Sequence, residues 1–118
     1  MRLLAYVLLV VGLAAPLSAQ DAVYSPEDEG VSLPSVVKKV SATYTEAARN
    51  AQIQGNVILN IVVRSTGTVG EVIVVKSLEN GLDERAVEAV TQWEFMPGRK
   101  DGRPVAVRIQ VWIQFTLD

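Results

Sequence analysis

From residue 105 to residue 117 the side chains alternate without a break. Val105, Val107, Ile109, Val111, Ile113, Phe115 and Leu117 fall on one parity, and Ala106, Arg108, Gln110, Trp112, Gln114 and Thr116 on the other. A repeat of two is the period of a β-strand with one face in a core. The same period runs over residues 56–64, with Val57, Leu59, Ile61 and Val63 set against Asn56, Ile58, Asn60, Val62 and Arg64. Ser65-Thr66-Gly67-Thr68 is a tight-turn sequence, and residues 69–77 return as a second β-rich run, so the pair predicts a hairpin. After the break at Asn80-Gly81 the period changes. Leu82, Ala86, Ala89, Val90 and Trp93 recur at helical spacing, a stripe suited to lie on a sheet. Asp83 and Glu84 sit in its first turn, where carboxylates complement the helix dipole. Upstream, Thr43 and Glu46 form a capping box for a short helix through about residue 51, with Ala47, Ala48 and Ala51 as small packing residues and Gly55 as its end. Pro97-Gly98 stops the second helical region, and Asp101-Gly102 marks another turn.

The order is therefore helix, strand, strand, helix, strand. A right-handed crossover after the second strand places the third beside the first and antiparallel to it. The expected fold is α+β in two layers: a three-stranded antiparallel sheet of order 2-1-3, with two helices on the Val57/Val107 face. The second and third strands are then edges. The opposite face carries Ile58, Val62 and Trp112, joined by Ile73 and Val75 if Val72 and Val74 turn inward. That is too apolar for a solvated surface. Either residues 31–37 fold over it, or it is an interface with a second copy or another protein.

The N-terminal residues obey other rules. Met1-Arg2 is a short positive start, residues 3–15 carry no charge, and Pro16-Leu17-Ser18-Ala19 follows. This is the pattern of a secretory signal peptide, expected over residues 1–19 and cleaved after Ala19. As a helix the uncharged stretch would span about 20 Å, short of the roughly 30 Å of a bilayer core, so inner-membrane anchoring is the weaker reading. Residues 20–34 are acidic, carry Pro and Gly and lack an apolar period, which predicts a flexible tether. The folded domain is expected over residues 35–118.

Composition narrows the chemistry. The chain has 118 residues, 49% of them hydrophobic and 20% charged, enough for one globular domain. It holds no Cys and no His, which removes disulfides, thiolate nucleophiles, the usual general base and the commonest metal ligand. The best acid/base candidates are Asp83, Glu84 and Glu88. Asp83 and Glu84 are adjacent, share no helix face, and have no nucleophile or phosphate loop beside them. No catalytic, metal or cofactor site is expected, and no small-molecule substrate. A net charge of −2 gives no steering toward nucleic acid. Lys38-Lys39 and Arg99-Lys100 with Arg103 read as solvated surface, since they lack interleaved aromatics.

Taken together, the motifs resemble the C-terminal domain of the TonB family of energy transducers. Tyr44-Thr45-Glu46-Ala47-Ala48-Arg49, followed by Ile53-Gln54-Gly55, is similar to the family's Tyr-Pro-x-x-Ala-Arg and Ile-Gln-Gly. Gly67-x-Val69 matches its hairpin turn, and Leu82-Asp83-Glu84 with Ala86, Ala89-Val90 and Trp93-x-Phe95-x-Pro97-Gly98 resembles its second helix and exit. Lys100-Asp101-Gly102-x-Pro104-Val105 and Phe115-x-Leu117 complete the set, which covers about residues 34–118. Each of these residues also has a structural explanation: Tyr44, Trp93 and Phe95 as core aromatics, the glycines as turns. The resemblance implies a periplasmic protein-binding module linked to receptor-mediated transport. In this family the last strand adds a short extended segment of an outer-membrane receptor to the sheet edge, by β-augmentation. Carried onto this chain, the implied partner-binding residues are Val105, Val107, Arg108, Ile109, Gln110, Val111, Trp112 and Ile113. Ile58, Val62, Ile73 and Trp112 form the second candidate interface, for a homodimer or another periplasmic protein. The alternative is a self-associating adaptor without an energy-transducing role. Two departures bear on that choice: the family's proline-rich spacer and histidine-bearing anchor helix have no counterpart in this sequence, and Thr45 stands where the family has Pro.

Overall fold

A computed structural model of the chain describes residues 22–79 and 81–118; the signal-peptide reading of residues 1–19 lies outside the described residues. In chain order the elements are β1 (Val23–Tyr24), β2 (Val31–Ser32), β3 (Ser35–Lys38), α1 (Glu46–Asn50), β4 (Gly55–Val63), β5 (Val69–Lys76), α2 (Leu82–Val90), β6 (Glu94–Met96), β7 (Gly98–Lys100) and β8 (Arg103–Phe115). The two long alternations became β4 and β8, and the β-rich run between them became β5. β4 pairs antiparallel with both others, from Gly55↔Phe115 to Val63↔Val107 on one side and from Ile58↔Lys76 to Val63↔Val69 on the other. The 2-1-3 order is thus present at the centre of the sheet.

The parity read from the sequence decides what is buried. Val57, Leu59, Ile61 and Val63 of β4 are fully buried with Val107 of β8, and Ile113 and Phe115 of β8 are buried beside them. Ala48 of α1 and Leu82, Ala86 and Val90 of α2 close over this face. Burying each of the larger side chains contributes roughly 1.5–3 kcal/mol, so this layer dominates stability.

The sheet is wider than expected. Six strands join it in the order β2-β7-β8-β4-β5, with β1 also on β8, and β3 and β6 form a separate two-stranded sheet. The expectation of three strands is corrected by pairings too short to show a period. β7 and β8 form a hairpin whose two-residue loop is Asp101-Gly102, with Lys100↔Arg103 as the last pair and both loop residues at positive φ. That conformation matches the twist of the flanking strands. Residues 31–37, one expected cover for the outer sheet face, pair elsewhere: β2 with β7 and β3 with β6. The segment read as a tether carries β1 and β2, because neighbouring backbone supplies hydrogen bonds that its composition could not advertise.

The helix ends also shift. Thr45, not Thr43, caps α1, its hydroxyl accepting from the Ala48 amide at 3.0 Å. A short polar side chain serves there because it can reach the amide three residues on. The Thr43 hydroxyl instead accepts from Arg85 at 2.7 Å. Asp83 in the first turn of α2 accepts from the Ser77 hydroxyl and the Leu78 amide, at 2.6 and 2.8 Å, fixing the entry from β5. The aromatics behave as packing residues. Tyr44 sits edge-on to Phe115 and donates its hydroxyl to the Ile53 carbonyl, while the Trp93 indole donates to the Val40 carbonyl.

Candidate functional site

β8 is thirteen residues long and has two rims of backbone donors and acceptors. One rim is zipped to β4 along nine registered pairs. The other is divided. β7 covers it at residues 103–105, with Gly98↔Val105, and β1 covers the next two positions in parallel, Val23↔Ala106 and Tyr24↔Val107. From Arg108 to Phe115 no strand among the described residues pairs with it. The free edge inferred for residues 105–113 is therefore displaced: Val105 and Val107 already have strand partners on that side, and Arg108, Ile109, Gln110, Val111, Trp112 and Ile113 do not. A sequence period gives the face of a side chain and says nothing about which backbone lies alongside.

The side chains of this stretch alternate as the pattern requires. Ile113 is buried, Ile109 and Val111 pack half-buried on the core, and Arg108, Gln110 and Trp112 project from the other face. Arg108 forms an ion pair with Glu71 of β5 at 3.2 Å. Both partners are largely exposed, so the pair adds little stability. The Trp112 indole donates to Gln110 at 3.0 Å, and the Gln110 amide approaches Asn60 at 3.5 Å. These contacts orient Trp112 without covering it: it is 60% exposed.

The space beside the unpaired rim is shaped at both ends. Ser25, Pro26 and Glu27 stand against Arg108, Ile109 and Gln110 across a shallow hollow. A second hollow lies between residues 39–42 and Trp112, Ile113 and Gln114, with Trp93 in its wall. Sequence reasoning missed both flanks. Neither has a periodic signature, and only Tyr24-Ser25-Pro26, a strand former running into a turn, hinted at the first.

The residues of the second candidate surface occupy neighbouring positions on the sheet. Ile58 lies opposite Trp112, Val62 opposite Arg108 and Ile73 opposite Asn60. Val72 packs on the core, as the outward placing of Ile73 requires, whereas Val74, expected inward with it, is 37% exposed. Ile73 and Val75 are about half exposed, while Val62 is buried. Val62 lines a hollow together with Arg108, Glu71 and Val23.

Other chemistry is sparse. Among the described residues no group of three or more His, Cys, Asp or Glu could hold a metal ion, and no helix is long and apolar enough to cross a membrane. The Asp83 carboxylate serves as the turn cap described above. Lys100 of the basic hairpin donates to the Glu29 carbonyl at 2.8 Å, and Arg99 to the Gly102 carbonyl at 3.1 Å.

Comparison with known proteins gives a consistent result. The family described as Gram-negative bacterial TonB protein, C-terminal, matches residues 40–117. The protein TonB of Vibrio cholerae is 36% identical over 90 residues, 75% of this chain and 37% of its own length. The protein TonB of Xanthomonas campestris pv. campestris is 38% identical over 76 residues, 64% of this chain and 34% of its own. The chain thus spans little more than a third of the curated relatives it matches. The solution NMR structure of the Pseudomonas aeruginosa TonB C-terminal domain superposes with a TM-score of 0.53 at 20% identity, covering 80% of this chain and 95% of that one. At that identity the likeness speaks to the fold.

Proposed function

The chain belongs to the Gram-negative bacterial TonB C-terminal family, and from that premise we propose that it is a periplasmic protein-binding module serving receptor-linked transport. Its site is the rim of β8 at residues 108–115, where an extended segment of an outer-membrane receptor, or of a similar periplasmic protein, adds as one more strand. One observation carries this reading: residues 108–115 of a long strand are zipped to β4 along one rim and, among the described residues, have no strand partner along the other. An unpaired strand edge is a template for another chain. In such an addition main-chain hydrogen bonds supply affinity, and outward side chains, here Arg108, Gln110 and Trp112, supply selectivity. Titrating the isotopically labelled protein with peptides copied from receptor N-terminal segments tests it. Resonance shifts running along residues 108–115 are the expected result. Shifts confined to other elements, or none at millimolar peptide, would contradict it.

A second reading is favoured by the outer face, where Trp112 at 60% and Ile73 at 49% exposure leave apolar surface in water beside Ile58. In that reading the domain associates with a second copy or with another periplasmic protein through this face. Replacing Trp112 with Ser should then weaken self-association measured by sedimentation and leave the circular dichroism spectrum unchanged. Equal association of both proteins would retire the idea.

A further inference from the structure

The unpaired rim of β8 is not empty along its whole length. β1 pairs with it at Ala106 and Val107, and there the pairing stops, because the chain turns: the Ser25 amide donates to the Asp28 carboxylate at 2.9 Å and the Asp28 amide to the Ser25 carbonyl at 3.0 Å. Pro26 lies inside this turn and has no amide proton to continue a ladder. The turn then stands beside Arg108, Ile109 and Gln110. Strand and turn together flank residues 106–110; beyond them, among the described residues, the stretch from Val111 to Phe115 has no strand partner on this rim and faces the hollow walled by residues 39–42.

The hold on this segment is slight. Among the described residues it consists of a two-residue pairing, the Lys100 ammonium 5.6 Å from the Tyr24 ring, the Lys100 donation to the Glu29 carbonyl, the Val31 amide's 3.2 Å bond to the Asp28 carbonyl, and the half-burial of Tyr24, Ser25 and Pro26. Val23 is 40% exposed. Next comes Gly30 at a φ of +78°, and after it β2 is paired to β7 at Val31 and Ser32. Release of β1 would therefore swing residues 22–29 about Gly30 while β2 keeps them tethered. A short strand held by few contacts at a sheet rim opens at low cost.

We infer that residues 22–29 are a displaceable strap that competes intramolecularly for the partner-binding rim of β8. An incoming strand longer than the open stretch must remove it, and each removal is opposed by a segment that is always close at hand. The inference rests on the reading of β8 as a peptide-binding edge and adds its regulation.

Two variants of the full chain test it. Val23 and Ala106 are registered partners, so their α-carbons lie within disulfide range. V23C/A106C would lock the strap closed, and the absence of native cysteine makes that bond unambiguous. V23P would release it, at an exposed position outside the core. Two probes are used: a receptor N-terminal peptide, and a synthetic peptide of residues 20–29 added in trans. With a strap closed about nine-tenths of the time, V23P should bind the receptor peptide about tenfold more tightly than the unaltered chain. The oxidised double variant should bind it more weakly than its own reduced form. The trans peptide should shift residues 106–110 in V23P and not in the oxidised variant. Oxidised and reduced forms binding alike, with V23P unchanged, would overturn the strap and leave the binding edge standing. If the receptor peptide binds no variant, the edge reading fails; the strap is then decided by the trans peptide, whose failure to bind V23P would overturn it.

Discussion

Replacing Gly67 with Ala should lower the stability of the domain by about 3 kcal/mol, the largest effect expected of any single methyl addition in the chain. Gly67 has a φ of +90° in the turn between β4 and β5. A β-carbon there would lie 2.1 Å from the Phe95 carbonyl oxygen. Backbone cannot yield to that approach as a flexible side chain can, so the turn and β6 must separate. The Phe95 amide then loses its 2.9 Å bond to the Gly67 carbonyl, and the bridge between Thr68 and Glu94 goes with it. Two lost backbone bonds contribute about 1 kcal/mol each, and the left-handed conformation roughly another. For a domain of this size the midpoint of thermal unfolding should fall by about 15 °C. Gly102 supplies the internal control. Its φ is +85°, yet nothing lies within 4 Å of the position a β-carbon would take, so G102A should lose only the conformational part, about 1 kcal/mol. Calorimetry on the two variants checks the account. Equal losses would mean that the contact between the hairpin turn and β6 carries no weight.

The second large effect belongs to Leu59. It is fully buried at the middle of β4, registered with Val111 of β8 on one side and Val74 of β5 on the other. Truncation to Ala leaves a cavity between the sheet and its helices and should cost about 2–5 kcal/mol. Ile58, one residue earlier, faces the other side and is only partly covered, so I58A should cost less than about 1.5 kcal/mol. Urea unfolding of both variants measures the contrast. Similar losses would mean that the inward parity of β4 has been assigned to the wrong side.

The parts of this molecule legible in the sequence were those written in long periods. Thirteen residues of β8 and nine of β4 each repeat one choice many times, and one such repeat fixes which face is buried. The stripe of α2 was legible for the same reason. β6 and β7 are three residues each, separated by Pro97, and three residues cannot display a period. β1, β2 and β3 exist because β8, β7 and β6 lie beside them, information that no local pattern carries. The α1 cap shows a finer limit. Thr43 and Thr45 both offer a hydroxyl to a following amide, and Glu46 favoured the first as a capping box. The structure gives the cap to Thr45 and leaves Thr43 to Arg85.

The same distinction applies to the candidate site. The alternation of Arg108, Gln110 and Trp112 against Ile109, Val111 and Ile113 was readable, since it is a matter of faces. Where the rim begins was not, since it depends on Tyr24 lying beside Val107 and on the turn at Pro26.

Amide hydrogen exchange along β8 is the most direct measurement of the central claim. With one rim paired to β4 and the other without a strand partner among the described residues, amides of residues 108–115 should alternate between slow and fast exchange in the free protein, because successive N–H groups point to opposite rims. On saturation with a receptor N-terminal peptide, the fast set should become slow and the slow set should stay so. Uniform protection of residues 108–115 in the free protein, or a fast set that bound peptide leaves unchanged, would contradict the account.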